Sequence, residues 1–297
     1  MLNQIRTQLR DAVRSRVVGD DADQRAARIW LTPGERRFTE TDPIWRVHSD
    51  ASMFAGGIRA LLLQSLHPLA MAGVAGHSGF RSDPFGRLQR TSDFIAQTTF
   101  AVREDADRAV RIVRAVHKKV SGTTEDGRPY AASDPHLLLW VHVAEIESFY
   151  VTYQRFGRER LTSPEADRYV AQTADTAEAL GVRRAPRTLD ELRGAVEAYR
   201  GELESTQASR DVARYLLLEA PLPLVARPGY TALALAAAST LPPWALGMLG
   251  IPRLPAVTRA VGTLTGTGAV AAIRWIMSAP PRDAQAAALR KAREAER

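Results

Sequence analysis

The stretch PHLLLWVHVAEIESF, residues 135–149, decides the fold. Pro135 suits the first turn of a helix, and no glycine or second proline interrupts the apolar run behind it. Leucine, tryptophan and valine mark that run as a core segment. Yet His142 sits in its middle, and Glu145 and Glu147 follow within two turns. Polar groups in an apolar interior need partners, because an unpaired one costs free energy. One partner is a metal: neutral imidazole is a good ligand for haem iron, and one buried helical histidine suffices. The other is an ordinary hydrogen bond, as for most histidines on an apolar face.

Outward from this segment the chain reads as helices. Residues 50–75 are apolar at helical spacing, and residues 86–120 form a long amphipathic helix or two. SGTTEDGRPYAASDP (121–135) is a polar loop, and the helix it feeds runs to about Phe156. SPEADRYVAQTADTAEAL (163–180) follows, with Ser163 as N-cap, Pro164 at the first position and Gly181 as C-cap. Residues 188–203, 209–220, 230–241 and 252–276 are further helical segments. Nothing alternates at strand spacing and no repeat stands out. The expectation is an all-α, single-domain multi-helix bundle with a buried haem or apolar-ligand pocket. An amphipathic helix over 1–19 precedes the main domain of residues 20–280, and a charged helical tail covers 281–297.

Composition narrows the chemistry. Cysteine is absent from the 297 residues, which excludes disulfides, zinc ribbons, iron–sulfur clusters, cysteine nucleophiles and thiolate-ligated haem. The net charge is +7, but all except three of the 40 cationic side chains are arginine, interleaved with acids as in REDADRAVRIVR (103–114). That is a solvated helix face, so no nucleic-acid partner is expected. The N-terminus has no apolar core or cleavage site of a targeting peptide, and a cytoplasmic chain is expected. Leu2, Ile5, Leu9, Val13 and Val17 form a helical stripe flanked by arginines, which can pack on the domain or make peripheral membrane contact. The uncharged run 228–252 is broken by Pro242 and Pro243 and rich in alanine, so no spanning helix is expected there.

Motifs mostly exclude. There is no HExxH, no phosphate loop and no Glu-x-x-His pair. GHSG (76–79) is one residue short of a nucleophile elbow. GTLTGTG (262–268) lies in an apolar helical context and reads as close helix packing. Histidines on apolar segments remain. His136 lies about 240° round the helix from His142, so both cannot face one iron. His67 precedes Pro68, where a proline kink frees carbonyls it could bond. His77 is a pocket-edge or turn residue, and His48 and His117 read as surface residues.

Two blocks, RALLLQSLHPLAMAGVAGHSGFRSDPFGRLQRTSDFI (59–95) and DPHLLLWVHVAEIES (134–148), resemble the rubber oxygenase and MpaB-type oxygenase family. The first carries its apolar helix ending in His-Pro, then Gly-Val-x-x-His-Ser, then Arg-x-x-x-Thr. The second carries Trp-Val-His followed by an acid and serine. A weaker likeness extends the resemblance over most of residues 40–255.

The resemblance implies an all-helical fold holding haem b, used by characterised relatives with dioxygen to cleave carbon–carbon double bonds of isoprenoid chains. By it, His142 is the proximal iron ligand, Arg87 and Thr91 belong to the distal helix, and Glu147 is the acid after the ligand. Arg90 falls where rubber oxygenases have a lysine able to close onto the iron, a role arginine fills poorly because it stays protonated. Arg87 and Thr91 are i and i+4 and share a helix face, where they could stabilise developing negative charge. The alternative is that Arg87 braces the SDPFGR loop. Glu145, at i+3, is better placed on the face of His142 than Glu147, and either could support the ligand from behind. His67 is a structural residue or a cofactor-side partner. The expected function is a haem b oxygenase acting with dioxygen on an apolar small molecule, its pocket lined in part by residues 230–251. The alternative is a non-catalytic haem- or lipid-binding helical protein.

Overall fold

The computed structural model describes residues 22–77, 84–220, 224–252 and 256–277. Among these residues thirteen α-helices run in order: α1 (Ala22–Leu31), α2 (Pro43–His48), α3 (Met53–Gln64), α4 (Pro68–His77), α5 (Pro84–Phe100), α6 (Arg103–His117), α7 (Pro135–Phe156), α8 (Ser163–Leu180), α9 (Leu189–Ala198), α10 (Gln207–Arg214), α11 (Arg227–Thr240), α12 (Pro243–Met248) and α13 (Ala256–Met277). The fold is all-α. The polar loop before α7 holds a small hairpin, β1 (Ser121–Thr123) paired antiparallel with β2 (Pro129–Ala131). Three-residue strands carry no alternation for sequence reading to detect. The segments 1–19 and 281–297 lie outside the described residues.

Local signals explain the breaks. Asp134 caps α7 by accepting from the His136 amide at 2.8 Å, with Pro135 at the first position. The N-cap of α8 is Thr162 rather than Ser163. Its backbone N–H donates to the Glu165 carboxylate at 2.8 Å, the return bond of a capping box, and its hydroxyl donates to the same oxygen at 2.9 Å. Gly181 ends that helix at φ 128°, a conformation that favours glycine. The apolar run 50–75 is two helices rather than one kinked at Pro68.

The core centres on α3 packed against α7. Gly56 allows their closest approach: a Cβ there would lie 2.7 Å from Thr152 Oγ1 and 2.9 Å from Phe149 Cδ1. Inside this contact is a charge. Arg59, 2% exposed, ion-pairs with Glu147 through two nitrogens, donates to Ser148 Oγ at 2.7 Å and reaches the Thr240 carbonyl at 3.2 Å. The outer layer of α11 covers α3, and α13 covers α11. Small residues make that contact, as GTLTGTG suggests: a Cβ on Gly266 would sit 2.5 Å from Ala236 Cβ. Arg274 on α13 reaches back to Asp50 with distances of 2.9–3.2 Å, closing the fold across 224 residues of sequence.

The outward face of α13 is apolar. Ala260–Met277 is the described helix long and apolar enough to cross a membrane by composition, and only 17% of it is buried. Leu264 and Trp275 are exposed on it. The earlier uncharged run, 228–252, divides at its double proline into α11 and α12.

Candidate functional site

His142 projects from α7 into a cavity of about 100 Å³ between α7, α5, α2 and α8. The walls are mainly apolar: Ile44 from α2, Phe94 and Ile95 from α5, Leu138, Ile146 and Phe149 from α7, and Leu180 and Val182 at the end of α8. Four ionisable side chains enter this apolar space: His48, His117, His142 and Glu145. Thr98, Thr99, Thr173 and Thr176 add hydroxyls. No residue of 230–251 lines it. Those expected pocket residues instead pack α11 against α3 and α13, because an apolar helix buries first against other helices.

Desolvation sets the charge state. Burial lowers the pKa of His142 to about 4 and of His48 to about 3, and lowers that of His117 as well. It raises the carboxyl of Glu145 to about 7. Near neutrality the three imidazoles are therefore uncharged and Glu145 is poised at its titration point.

Their partners differ. His48 bridges Thr99 Oγ1 at 2.8 Å and the Tyr169 hydroxyl at 3.3 Å. His142 Nε2 is buried and has no hydrogen-bond partner among the described residues. A neutral imidazole with an unpartnered nitrogen, facing apolar walls, is the donor that haem iron takes, so the donor chemistry fits the group the sequence suggested.

The other candidates sit elsewhere. Glu145, three residues after His142, lines the same cavity, whereas Glu147 is committed to Arg59. Arg90 and Thr91 are exposed on α5 and do not line the cavity; its α5 wall comes from the next two turns, Phe94 to Thr99. Arg87 lies on α5, but its side chain, like that of His77, is outside the described residues. His67 is on another side of α7, its ring centre 6.3 Å from Trp140 and 6.2 Å from Tyr199. It bonds no carbonyl, so the expected kink partner is not there.

His48 and His117 correct the sequence reading. The sequence suggests surface positions for both, and both line the cavity. Only His48 gave a signal, the apolar PIWRV segment before it.

No curated protein and no solved structure matches the chain. A family model does: "ER-bound oxygenase mpaB/B'/Rubber oxygenase, catalytic domain" matches residues 45–275, from within α2 to within α13, and includes every residue that lines the cavity except Ile44. On that match, the chain belongs to the MpaB/rubber oxygenase family, and its helical domain is an oxygenase-type catalytic domain.

Proposed function

We propose that the chain is a haem b-dependent oxygenase that uses dioxygen on an apolar, isoprenoid-like small molecule, with His142 as the iron's proximal ligand. The observation that carries this reading is the unpartnered Nε2 of His142 at an apolar cavity. Haem, when bound, would supply the iron at which dioxygen is activated.

The chain's own residues do the rest. His142 offers a lone pair because burial keeps its ring neutral well below neutral pH. Glu145, on the same face, can hold or release a proton near pH 7 at the cavity wall. The apolar walls exclude water and select an apolar ligand. Arg87, Thr91, Phe94 or Ile95, and Thr98 follow one another along one face of α5, by i+3 and i+4 spacing. By that spacing Thr91 and Arg87 come one and two turns before the residues that line the cavity, and their proposed role is as donors toward developing negative charge. The cavity's 100 Å³ is small against the roughly 300–1,000 Å³ of small-molecule sites, so entry of a macrocycle would require its walls to move apart.

Reconstitution with haemin tests this. Wild-type protein should develop a Soret band, and His142→Ala should not, while its helical circular dichroism persists. A wild-type chain without a Soret shift, or a His142→Ala variant that loads like wild type, overturns the reading. Arg87→Ala should retain haem and lose about a hundredfold or more in dioxygen consumption with an isoprenoid substrate, the effect of one donor worth about 2.7–4 kcal/mol. Unchanged turnover would assign Arg87 to bracing its loop.

A further inference from the structure

A second group of ligand-type side chains lies on another face of α7. His67 closes the break between α3 and α4, His136 is the second residue of α7, and Glu202 follows the 3-10 turn Tyr199–Gly201. One ligand atom from each lies within 4.8 Å of the others. His136 Nε2 is 2.8 and 3.0 Å from the two Glu202 oxygens, and His67 Nε2 is 3.6 Å from Oε2.

Hydrogen-bond accounting sets the problem. The Tyr199 hydroxyl donates to the His136 carbonyl at 2.7 Å, so toward His136 Nδ1, at 3.2 Å, it acts as acceptor. Nδ1 then carries the hydrogen, and Nε2 presents a lone pair to a carboxylate. Two acceptors face each other, and a cation must sit between them. A proton would satisfy His136 and Glu202 but not His67. The His67 side chain is 3% exposed, and neither of its ring nitrogens has a hydrogen-bond partner among the described residues. A metal ion would bind one atom of each of the three residues, His67 through the Nε2 that faces Glu202.

We propose that His67, His136 and Glu202 form a binding site for a divalent transition-metal ion, separate from the His142 cavity. Two imidazoles and one carboxylate suit zinc, cobalt, nickel, copper or ferrous iron, and not calcium or magnesium, which take oxygen ligands. Bonds of about 2.1 Å in a tetrahedron place ligand atoms about 3.4 Å apart. The His67–Glu202 edge is already near that length, and the His136–Glu202 edge must open by a few tenths of an ångström. Tyr199 fixes the His136 tautomer from behind, as partners of metal-bound histidines do. Burial lowers the pKa of His67, which keeps its ring neutral and able to ligate. His136 and Glu202 are about half exposed, so water can complete the coordination and the ion can enter from solvent. The ion would tie together the α3–α4 break, the start of α7 and the α9–α10 connection.

The test uses the full-length chain without an affinity tag, stripped with a chelator. Zn²⁺ is titrated calorimetrically and Co²⁺ by its visible absorption. Wild type should bind one ion at this site, and His142→Ala should bind it equally. His136→Gln and Glu202→Gln, both at solvent-facing positions, should weaken binding at least about tenfold with helical circular dichroism unchanged. His67→Ala should abolish it; because that residue is buried, the two solvent-facing variants carry the decision should it misfold. No saturable binding of either ion, wild-type affinity in His136→Gln and Glu202→Gln, or loss of the ion in His142→Ala would each overturn the proposal.

Discussion

Glu147→Ala should destabilise the protein severely and leave haem loading intact. The carboxylate neutralises Arg59, which is 2% exposed and lies at the α3–α7 contact. Without it, the guanidinium keeps only Ser148 Oγ and the Thr240 carbonyl as acceptors. Breaking a buried pair from one side costs about 3–5 kcal/mol, because the surviving charge stays buried. The Glu147 side chain is 19% exposed, so water can reach part of the gap and the lower end, about 3 kcal/mol, applies. For a domain of this size that is roughly 6–12 °C in melting temperature. Urea and thermal unfolding by far-ultraviolet circular dichroism read the effect directly. The double variant Arg59→Met, Glu147→Leu should recover most of it, since removing both charges removes the desolvation problem. A loss below about 1 kcal/mol would refute the reasoning. Equal stability accompanied by lost haem would restore Glu147 to the cofactor site.

Glu145→Gln should change the pH profile of stability. Burial raises the Glu145 pKa to about 7, so the folded state holds its proton more tightly than the unfolded state. That contribution is full below the unfolded carboxyl's pKa and is lost as pH rises through about 7. Thermal melts should show the glutamine variant gaining on wild type from about pH 4.5 to 7 and then levelling; a constant difference would contradict the burial argument. Gly266→Val should cost about 1–3 kcal/mol in urea unfolding, because its Cβ would meet Ala236 at 2.5 Å and force α11 and α13 apart. Gly268→Ala, with nothing within 4 Å of the new Cβ, should be neutral or stabilising, and equal losses at both positions would exclude close packing as the cause.

The helices were legible because their stops are chemical. Pro135, the Thr162–Glu165 segment, Gly181 and Pro242–Pro243 each end or start an element through local geometry alone. The site was legible only along one helix, where i+3 spacing aligns Glu145 with His142. Matching motifs favoured Glu147, but a motif does not say which buried cation will take a carboxylate, and Arg59 comes from 88 residues away. His48 and His117 were misread for the same reason: α2 and the end of α6 become cavity walls only when α5 and α8 pack beside them. Residues 230–251 carry the right hydrophobicity for a pocket. Hydrophobicity alone does not distinguish a surface that meets a ligand from one that meets a helix.

The Asp50–Arg274 bridge has a consequence for how the protein is made. Its two ends leave the ribosome 224 residues apart, about 11–45 s at ordinary rates of synthesis. Until then α11 has no α13 against its small-residue face, and the Asp50 carboxylate has no guanidinium. Helices from α2 to α12 can gather on the nascent chain, but their outer layer stays open. Among the described helices the last to appear is the one that seals the first part of the domain, so this layer closes late in translation.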